Sequence, residues 1–215
     1  MKTIYNFIIK PIGNKYENSI DVEGKELILN TSYENYKFIN RIAEVIAIPL
    51  SYEHTIAKGD IVLLHHNVFR TWYDIRGDQR TSSSYINDNE FKCSLDQIYA
   101  VFKNNIWQSL PEYCFVAPVS ASNSKNIVNK KEKELFGIVK MNNNELKNKG
   151  VNENDLVSFT PSSEFEFLLN EQKLYRIKNQ DITATYGYKK NEIEYNTSWR
   201  KSSRRIDKSS KRTHS

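Results

Sequence analysis

Short runs of apolar, β-branched and aromatic residues, separated by polar turn signals, dominate the first half of the chain. These runs lie at Tyr5–Lys10, Arg41–Ile48, Asp60–Leu64 and Phe91–Phe102, and the last is interrupted by polar residues at Ser94–Gln97. Runs of this length and composition are typical of β-strands, and their flanking turn residues mark where each strand ends. The pattern therefore predicts a mainly β protein.

The second half of the chain repeats this order of elements. Its apolar runs lie at Tyr113–Val119, Leu135–Met141, Gly150–Phe159 and Leu174–Tyr186. The spacing from the second run to the third is similar in the two halves, 15 residues from Val45 to Asp60 and 17 from Ile138 to Asp155, and the spacing from the third run to the fourth is 11 residues longer in the first half. That excess falls on the polar stretch Thr71–Glu90, where an insertion costs little because it lies at the surface. Four elements in the same order favour an internal duplication.

The same pattern predicts the domain organisation. The stretch Thr71–Glu90 is expected to form a long surface loop, with a hairpin around Arg76-Gly77-Asp78. The one helical signal is a short helix or helical turn within Asn142–Lys149. We expect a first β domain over residues 1–104 with a long loop at 13–40 and an insertion at 71–90, a second β domain over 105–188, and a basic, disordered tail over 189–215.

Composition supports a folded body, and the charge is concentrated in the tail. Hydrophobic residues make up 39% of the chain and aromatic residues 12%, which is enough for an apolar core. The stretch 198–215 has seven basic residues and one acidic residue, Asp207. Its net charge of 7 − 1 = +6 is larger than the formal net charge of the whole chain, +5. A solvated terminus, or weak, salt-dependent contact with nucleic acid or an acidic surface, would fit this pattern. The basic residues are Arg200, Lys201, Arg204, Arg205, Lys208, Lys211 and Arg212.

Cysteine usage and hydropathy indicate a cytoplasmic protein, or one in the host cytoplasm if it is viral. Cys93 and Cys114 each lie within an apolar run, which predicts buried free thiols in a reducing compartment. No apolar stretch approaches the length of a membrane span, so no membrane partner is expected. The first apolar run also has the wrong length for a signal peptide.

No residue pattern in the chain points to catalysis or to a cofactor. A nucleophile elbow, a phosphate-binding loop and a dinucleotide fingerprint are all missing from the sequence. His54, His65 and His66 are the histidines nearest one another. If His65 and His66 extend a strand, their side chains point to opposite faces, so we expect no metal site. The sequence predicts a protein that is not an enzyme.

Three segments of each half resemble motifs of the GroES-type co-chaperonin family. Glu44–Ile48 resembles a strand of that family, Lys58–Val62 resembles its turn and strand around Gly-Asp, and Ser94–Val101 resembles its closing element. The resemblance covers most of residues 5–186, and the layout is similar to tandem co-chaperonins. It implies two tandem GroES-like small β-barrels, and the composition would suit a phage genome. The corresponding segments of the second half are Phe136–Val139, Gly150–Val157 and Asp181–Ala184.

The resemblance also implies a docking loop. GroES-type proteins bind a chaperonin ring through a mobile loop that carries an apolar tripeptide and follows the first strand. The corresponding segment here is Gly13–Asn40, and its apolar residues are Leu27, Ile28 and Leu29. The alternative is an ordinary strand made by Lys25–Thr31. The two interpretations are compatible, because docking peptides often become extended on binding.

The second repeat has a shorter counterpart of this loop, Ser120–Lys133, in which Ile127 and Val128 are the apolar residues. The function implied is that of a co-chaperonin, which assembles as a homo-oligomeric ring, caps a chaperonin ring and assists protein folding. Hydrolysis of ATP would then belong to the chaperonin. The alternative is a non-enzymatic structural or assembly protein, for example a virion component, built from the same two barrels.

Overall fold

The computed structural model describes residues 2–13, 15, 19–22, 25–28, 39–121, 132–169, 172–189, 192 and 194–195, with 19–22 and 25–28 as backbone only. The chain forms two compact units, Met1–Leu110 and Pro111–Ser215. Each unit is built on one antiparallel sheet, so the expectation of a mainly β protein is confirmed. The first unit extends past the expected boundary at residue 104, because the strand Ile106–Ser109 pairs within it.

Strands make up most of the described chain, and one short helix, α1 (Asn144–Asn148), lies where the sequence predicts it. The strands of the first unit are β1 (Phe7–Pro11), β2 (Ser19–Val22), β3 (Lys25–Ile28), β4 (Ile42–Ala47), β5 (Ile61–Leu64), β6 (Thr71–Tyr73), β7 (Gln79–Thr81), β8 (Tyr85–Asn87), β9 (Glu90–Cys93), β10 (Ile98–Lys103) and β11 (Ile106–Ser109). Those of the second unit are β12 (Tyr113–Ser120), β13 (Glu132–Met141), β14 (Asp155–Phe159), β15 (Phe165–Leu169), β16 (Gln172–Lys178) and β17 (Ile182–Tyr188).

The two sheets have the same strand order. Counted from the β8 edge, the first sheet has the order β8-β9-β1-β4-β5-β10-β11. The second has the order β15-β16-β12-β13-β14-β17. When β12 is matched to β1 and the other strands follow in chain order, six strands of each sheet coincide, and β11 alone has no counterpart among the described strands. The duplication predicted from the sequence is therefore present in the topology.

The expected closed barrels are not observed in the part of the chain that the structure describes. No strand pairing joins β11 to β8 in the first sheet or β15 to β17 in the second. Both sheets are therefore open, with two edge strands each. Two further two-stranded ribbons, β2–β3 and β6–β7, belong to the first unit.

The register of the paired strands is also repeated. The pairing of β1 with β4 shifts by a residue between Ile8 and Ile9, and the pairing of β12 with β13 shifts at the corresponding point, between Phe115 and Val116. The pairings of β5 with β10 and of β14 with β17 carry a shift at corresponding positions as well. Because a β-bulge is a local departure from regular pairing, its recurrence supports a common design.

The turn before β5 is built like the turn before β14. The carboxylate of Asp60 accepts a hydrogen bond from the backbone N–H of Ala57 at 2.8 Å, and that of Asp155 accepts one from Asn152 at 2.8 Å. The residue before each aspartate has a positive φ, 89° in the first turn and 69° in the second. Glycine and asparagine adopt this conformation most readily, which explains Gly-Asp in one repeat and Asn-Asp in the other.

Each unit has its own apolar core, and both cysteines are buried in it, as predicted. Burial raises the pKa of the Cys114 thiol to about 12, and burial together with the charge of Asp96 raises the pKa of Cys93. Both thiols are therefore protonated at neutral pH and are poor nucleophiles. The core of the second unit is formed mainly by Cys114, Val116, Val139, Leu146, Val151, Val157, Phe159 and Ile177.

Candidate assembly edge and docking elements

The two units differ at one edge of their sheets. In the first unit the outer edge of β10 is paired with β11, from Ala100 opposite Ser109 to Lys103 opposite Ile106. In the second unit β17 holds the place of β10, and no described strand pairs with its outer side. Among the described residues, the second sheet therefore has no counterpart of the strand that completes the first.

The composition of β17 includes none of the charges or prolines that usually protect an edge strand. The strand reads Ile-Thr-Ala-Thr-Tyr-Gly-Tyr, without a charged residue or a proline. Natural proteins usually protect edge strands with charges, prolines or a covering segment, because free N–H and C=O groups recruit other strands. The side chains of Tyr186 and Tyr188 are also exposed. An uncharged, seven-residue edge is typical of a strand that pairs with another chain.

The residues after β17 that the structure describes return to β12 instead. Glu194 forms an antiparallel bridge with Val119, and the backbone N–H of Tyr195 donates to the carbonyl of Pro118 at 2.8 Å. Glu192 forms an ion pair with Lys133 at 3.0 Å. These first residues of the expected tail, 189–215, thus pack on the second unit without covering the edge of β17.

The predicted docking segment contains a β-ribbon. Leu27 lies opposite Ile20, and Ile28 lies opposite Ser19, in the β2–β3 pairing. In the described pairings β2 and β3 pair only with each other and not with the seven-stranded sheet. Leu27 and Ile28 are thus in a strand, as the alternative interpretation of this segment expected, and Leu29 lies outside the described residues.

Other predicted contact residues also lie outside the described residues. They include the apolar pair of the second loop, Ile127 and Val128, and the seven basic residues of the tail. The tail residues are Arg200, Lys201, Arg204, Arg205, Lys208, Lys211 and Arg212. Their roles stay predictions from the sequence.

The two adjacent histidines do not extend β5 as the sequence argument assumed. The strand ends at Leu64, and His66 begins a short 3-10 turn for which His65 is the capping residue. Their rings stack with centroids 4.3 Å apart, and Nδ1 of His65 accepts a hydrogen bond from the backbone N–H of Asn67 at 3.0 Å. The expectation of opposite faces was wrong because the chain leaves the strand. Among the described residues no three His, Cys, Asp or Glu side chains form a group that could hold a metal ion.

His66 is neutral in the folded protein at physiological pH. Burial lowers its pKa to about 3, and the nearby His65, Arg41 and Arg70 add to this effect. An unfolded histidine has a pKa of about 6.5. Between these values the unfolded chain binds more protons than the folded one, so protonation favours unfolding.

We therefore expect the stability of the first unit to fall as the pH is lowered from 7 to 5. The change His66→Gln removes the titrating group and should reduce this slope. The measurement is the denaturant midpoint at the two pH values. The variant Asn67→Ser, in the same turn but not titratable, should keep the slope of the unaltered protein. Equal slopes in both variants would contradict the assignment.

A cluster of charged side chains joins β13, β15 and β16 in the second unit. Nζ of Lys173 lies 2.6 Å from a carboxylate oxygen of Glu132 and 3.4 Å from one of Glu166. Burial alone would lower the pKa of Lys173, but its hydrogen bonds to Glu132 and Tyr175 and the charge of Glu166 raise it overall. Burial and the hydrogen bond to Glu132 raise the pKa of Tyr175 to about 12. Neither group titrates near pH 7, so the cluster ties strands together and is not poised for proton transfer.

A surface cavity of about 520 Å³ lies beside this sheet. Its three carboxylates are already paired: Glu153 with Lys147 at 3.8 Å, and Glu192 and Glu194 with lysines of β13. The polar lining is thus compensated by the protein's own charges, and it gives no sign of a particular ligand. The lining residues are Ile138, Glu153, Asn154, Tyr188, Lys189, Glu192 and Glu194.

Comparison of the whole chain with protein-family models and with curated proteins finds no match. Of the described residues, none belongs to a helix with the length and apolar composition that crossing a bilayer demands. The distinctive features of the described residues are the repeated antiparallel sheets, the open edge of β17 and the ribbons of the first unit.

Proposed function

We propose that this protein is a non-enzymatic, co-chaperonin-like protein of the cytoplasm. In this proposal two GroES-like modules in tandem assemble with further copies into a ring, which docks on a chaperonin ring and assists protein folding. The observation that carries it is the repetition of strand order and register in the two units. Because the two units repeat one design, the sequence resemblances of the two halves support one common module. ATP hydrolysis would belong to the chaperonin, and the protein itself would need no cofactor.

The open edge of β17 supports the assembly step. Within the chain, the segment just before the first strand of module two, β11, covers the last strand of module one. In the same way, an edge strand other than β17 of a neighbouring copy would cover β17. Such a contact is heterologous, and it gives a closed ring when its rotation divides a full turn.

Docking would use the apolar residues of the segment Gly13–Asn40. Burying a leucine or isoleucine side chain contributes about 1.5–3 kcal/mol, so Leu27, Ile28 and Leu29 supply a modest contact in each copy. A ring multiplies this contact, because the first docked copy holds the others at high effective concentration. Loops that each bind weakly are therefore enough, on a ring, for stable but reversible capping.

The experiment that tests the proposal compares binding of the unaltered protein and of the triple variant Leu27→Ser/Ile28→Ser/Leu29→Ser to a purified chaperonin in the presence of ATP. We expect the triple variant to bind at least ~100-fold more weakly, since three aliphatic contacts are lost in every copy. The double variant Ile127→Ser/Val128→Ser, in the shorter second loop, is the matched comparison and should lose less. Equal binding by the triple variant, or no binding by the unaltered protein, would reject the proposal.

A structural or assembly protein is the second candidate, and the edge of β17 also favours it. Strand pairing between copies builds an assembly whether or not a chaperonin takes part. Light scattering combined with the binding experiment separates the two candidates. An oligomer that binds chaperonin supports the first function, and an oligomer that does not bind supports the second.

A further inference from the structure

Exposed apolar side chains are concentrated in the insertion of the first unit. Twelve large hydrophobic side chains are exposed in the described part of the chain, and four of them lie between positions 73 and 86. Ile75 is the extreme case, since its side chain is fully exposed. Single exposed apolar residues are common on proteins, but a cluster within one inserted segment is not expected from the fold. The four residues are Tyr73, Ile75, Tyr85 and Ile86.

Ile75 lies at the tip of the ribbon β6–β7, which we call the tip hairpin (Thr71–Thr81). This confirms the hairpin predicted around Arg76-Gly77-Asp78. The carboxylate of Asp74 accepts hydrogen bonds from the backbone N–H groups of Arg76 and Asp78, at 2.9 and 3.0 Å. It also accepts two from the Arg80 guanidinium, at 2.9 and 2.7 Å. These hydrogen bonds to Asp74 hold the turn in which Ile75 is exposed.

The base of the tip hairpin is fixed to the unit as well. The hydroxyl of Ser82 donates to the carbonyl of Val68 at 2.6 Å, and its backbone N–H donates to the carbonyl of Arg70 at 3.0 Å. Val68 is completely buried in the core. Because both ends of the hairpin are held, its tip can contact another molecule with little loss of conformational entropy.

The charges of the tip hairpin largely compensate one another. Arg80 pairs with Asp74 at 2.7 Å and with Asp78 at 3.7 Å. With Arg76, the hairpin has two basic and two acidic side chains, so it has no net charge. Charge at a contact selects partners and rejects like-charged ones. A neutral tip with an aliphatic side chain therefore favours apolar surface on its partner. It discriminates little between partners of different amino-acid sequence.

We propose that the tip hairpin binds exposed apolar segments of non-native polypeptides, with Ile75 as the main contact and Tyr73 beside it. This inference rests on the proposed function, in which the protein docks on a chaperonin ring and assists the folding of other polypeptides. A convex, neutral, preorganised apolar tip fits such a client better than it fits one specific protein pocket. Each contact is weak, and a ring presents one tip per copy, which raises the avidity for a flexible chain.

The test uses reduced, carboxymethylated α-lactalbumin, a permanently unfolded protein, as the fluorescent probe, and native α-lactalbumin as its folded counterpart. Anisotropy titration should show binding of the unfolded probe only. The change Ile75→Ser should weaken this binding about tenfold or more, as loss of one buried isoleucine contact predicts. Asp74→Ala, which keeps Ile75 but releases its turn, should weaken it less. Leu50→Ser, at another exposed aliphatic residue of the first unit, should have no effect.

Three results would overturn the proposal: no binding of the probe by the unaltered protein, equal binding by Ile75→Ser, or a changed oligomeric state in Ile75→Ser. The last would show that the tip joins copies. The triple variant at Leu27, Ile28 and Leu29 keeps this failure separate from that of the proposed function. It should still bind the unfolded probe, while Ile75→Ser should still bind the chaperonin.

Discussion

The double variant Thr185→Lys/Tyr186→Lys is expected to dissociate the proposed ring into single copies. Both side chains are exposed on β17, whose outer edge no described strand covers. Lysines on an edge strand oppose pairing, because each must lose part of its hydration when a second strand covers it. We expect the affinity between copies to fall ~100-fold, which corresponds to about 2.7 kcal/mol.

Size-exclusion chromatography with light scattering measures this effect. The variant Gln79→Lys/Thr81→Lys adds the same charge to exposed positions of β7 and should keep the size of the unaltered protein. The free energy of unfolding of the β7 variant should stay within about 0.5 kcal/mol of that of the unaltered protein, as is usual for surface changes. A β17 variant that assembles like the unaltered protein would show that this edge is not the contact between copies.

The change Gly137→Ala is expected to destabilise the second unit by about 2–3 kcal/mol, the upper range for overpacking a core. A Cβ atom at position 137 would lie 2.4 Å from Cγ2 and 2.7 Å from Cβ of Val116, on the neighbouring strand β12. Val116 is completely buried, and β12 is flanked by β13 and β16. The added methyl group cannot be accommodated without moving a central strand.

Hydrogen exchange of backbone amides under mild denaturant measures the two units separately. Protection should fall in the second unit and be unchanged in the first. Adding Val116→Ala removes the closer of the two contacts, the one with Cγ2, so the double variant should be more stable than the two separate effects predict when summed. Additive effects, or full protection in Gly137→Ala, would contradict the packing described for β12 and β13.

The regular part of the fold was predictable because its strands are apolar runs bounded by turn residues. The polar break at Ser94–Gln97 became a 3-10 turn between β9 and β10, and the expected helix became α1. The sequence did not predict β2, β8, β11 or β15. β8 is a short, exposed strand, and β11 alternates exposed and half-buried residues beside the expected domain boundary. In β15, Phe165–Leu169, the alternation of Phe165, Glu166 and Phe167 was a usable signal for a half-buried strand.

The candidate sites were less predictable, because they depend on what lies next to an element. The sequence of β17 shows a strand, but only the sheet order shows that its outer edge is open while that of β10 is covered. Barrel closure is likewise a long-range property of the end strands, and local motifs did not determine it. The hairpin at Arg76-Gly77-Asp78 was predictable from turn residues. The exposure of Ile75 was not, since it follows from how Asp74 folds the turn.

Sedimentation velocity of a mixture is the direct test of the proposal that this protein caps a chaperonin ring. The fluorescently labelled protein is sedimented alone and with a purified chaperonin and ATP. Alone, the protein is expected to sediment as one oligomer larger than a single copy, and with chaperonin it is expected to move in the chaperonin boundary. Excess unlabelled protein should release it. If the labelled protein sediments as a single copy and chaperonin at saturating concentration does not change its sedimentation, the protein does not cap a chaperonin ring.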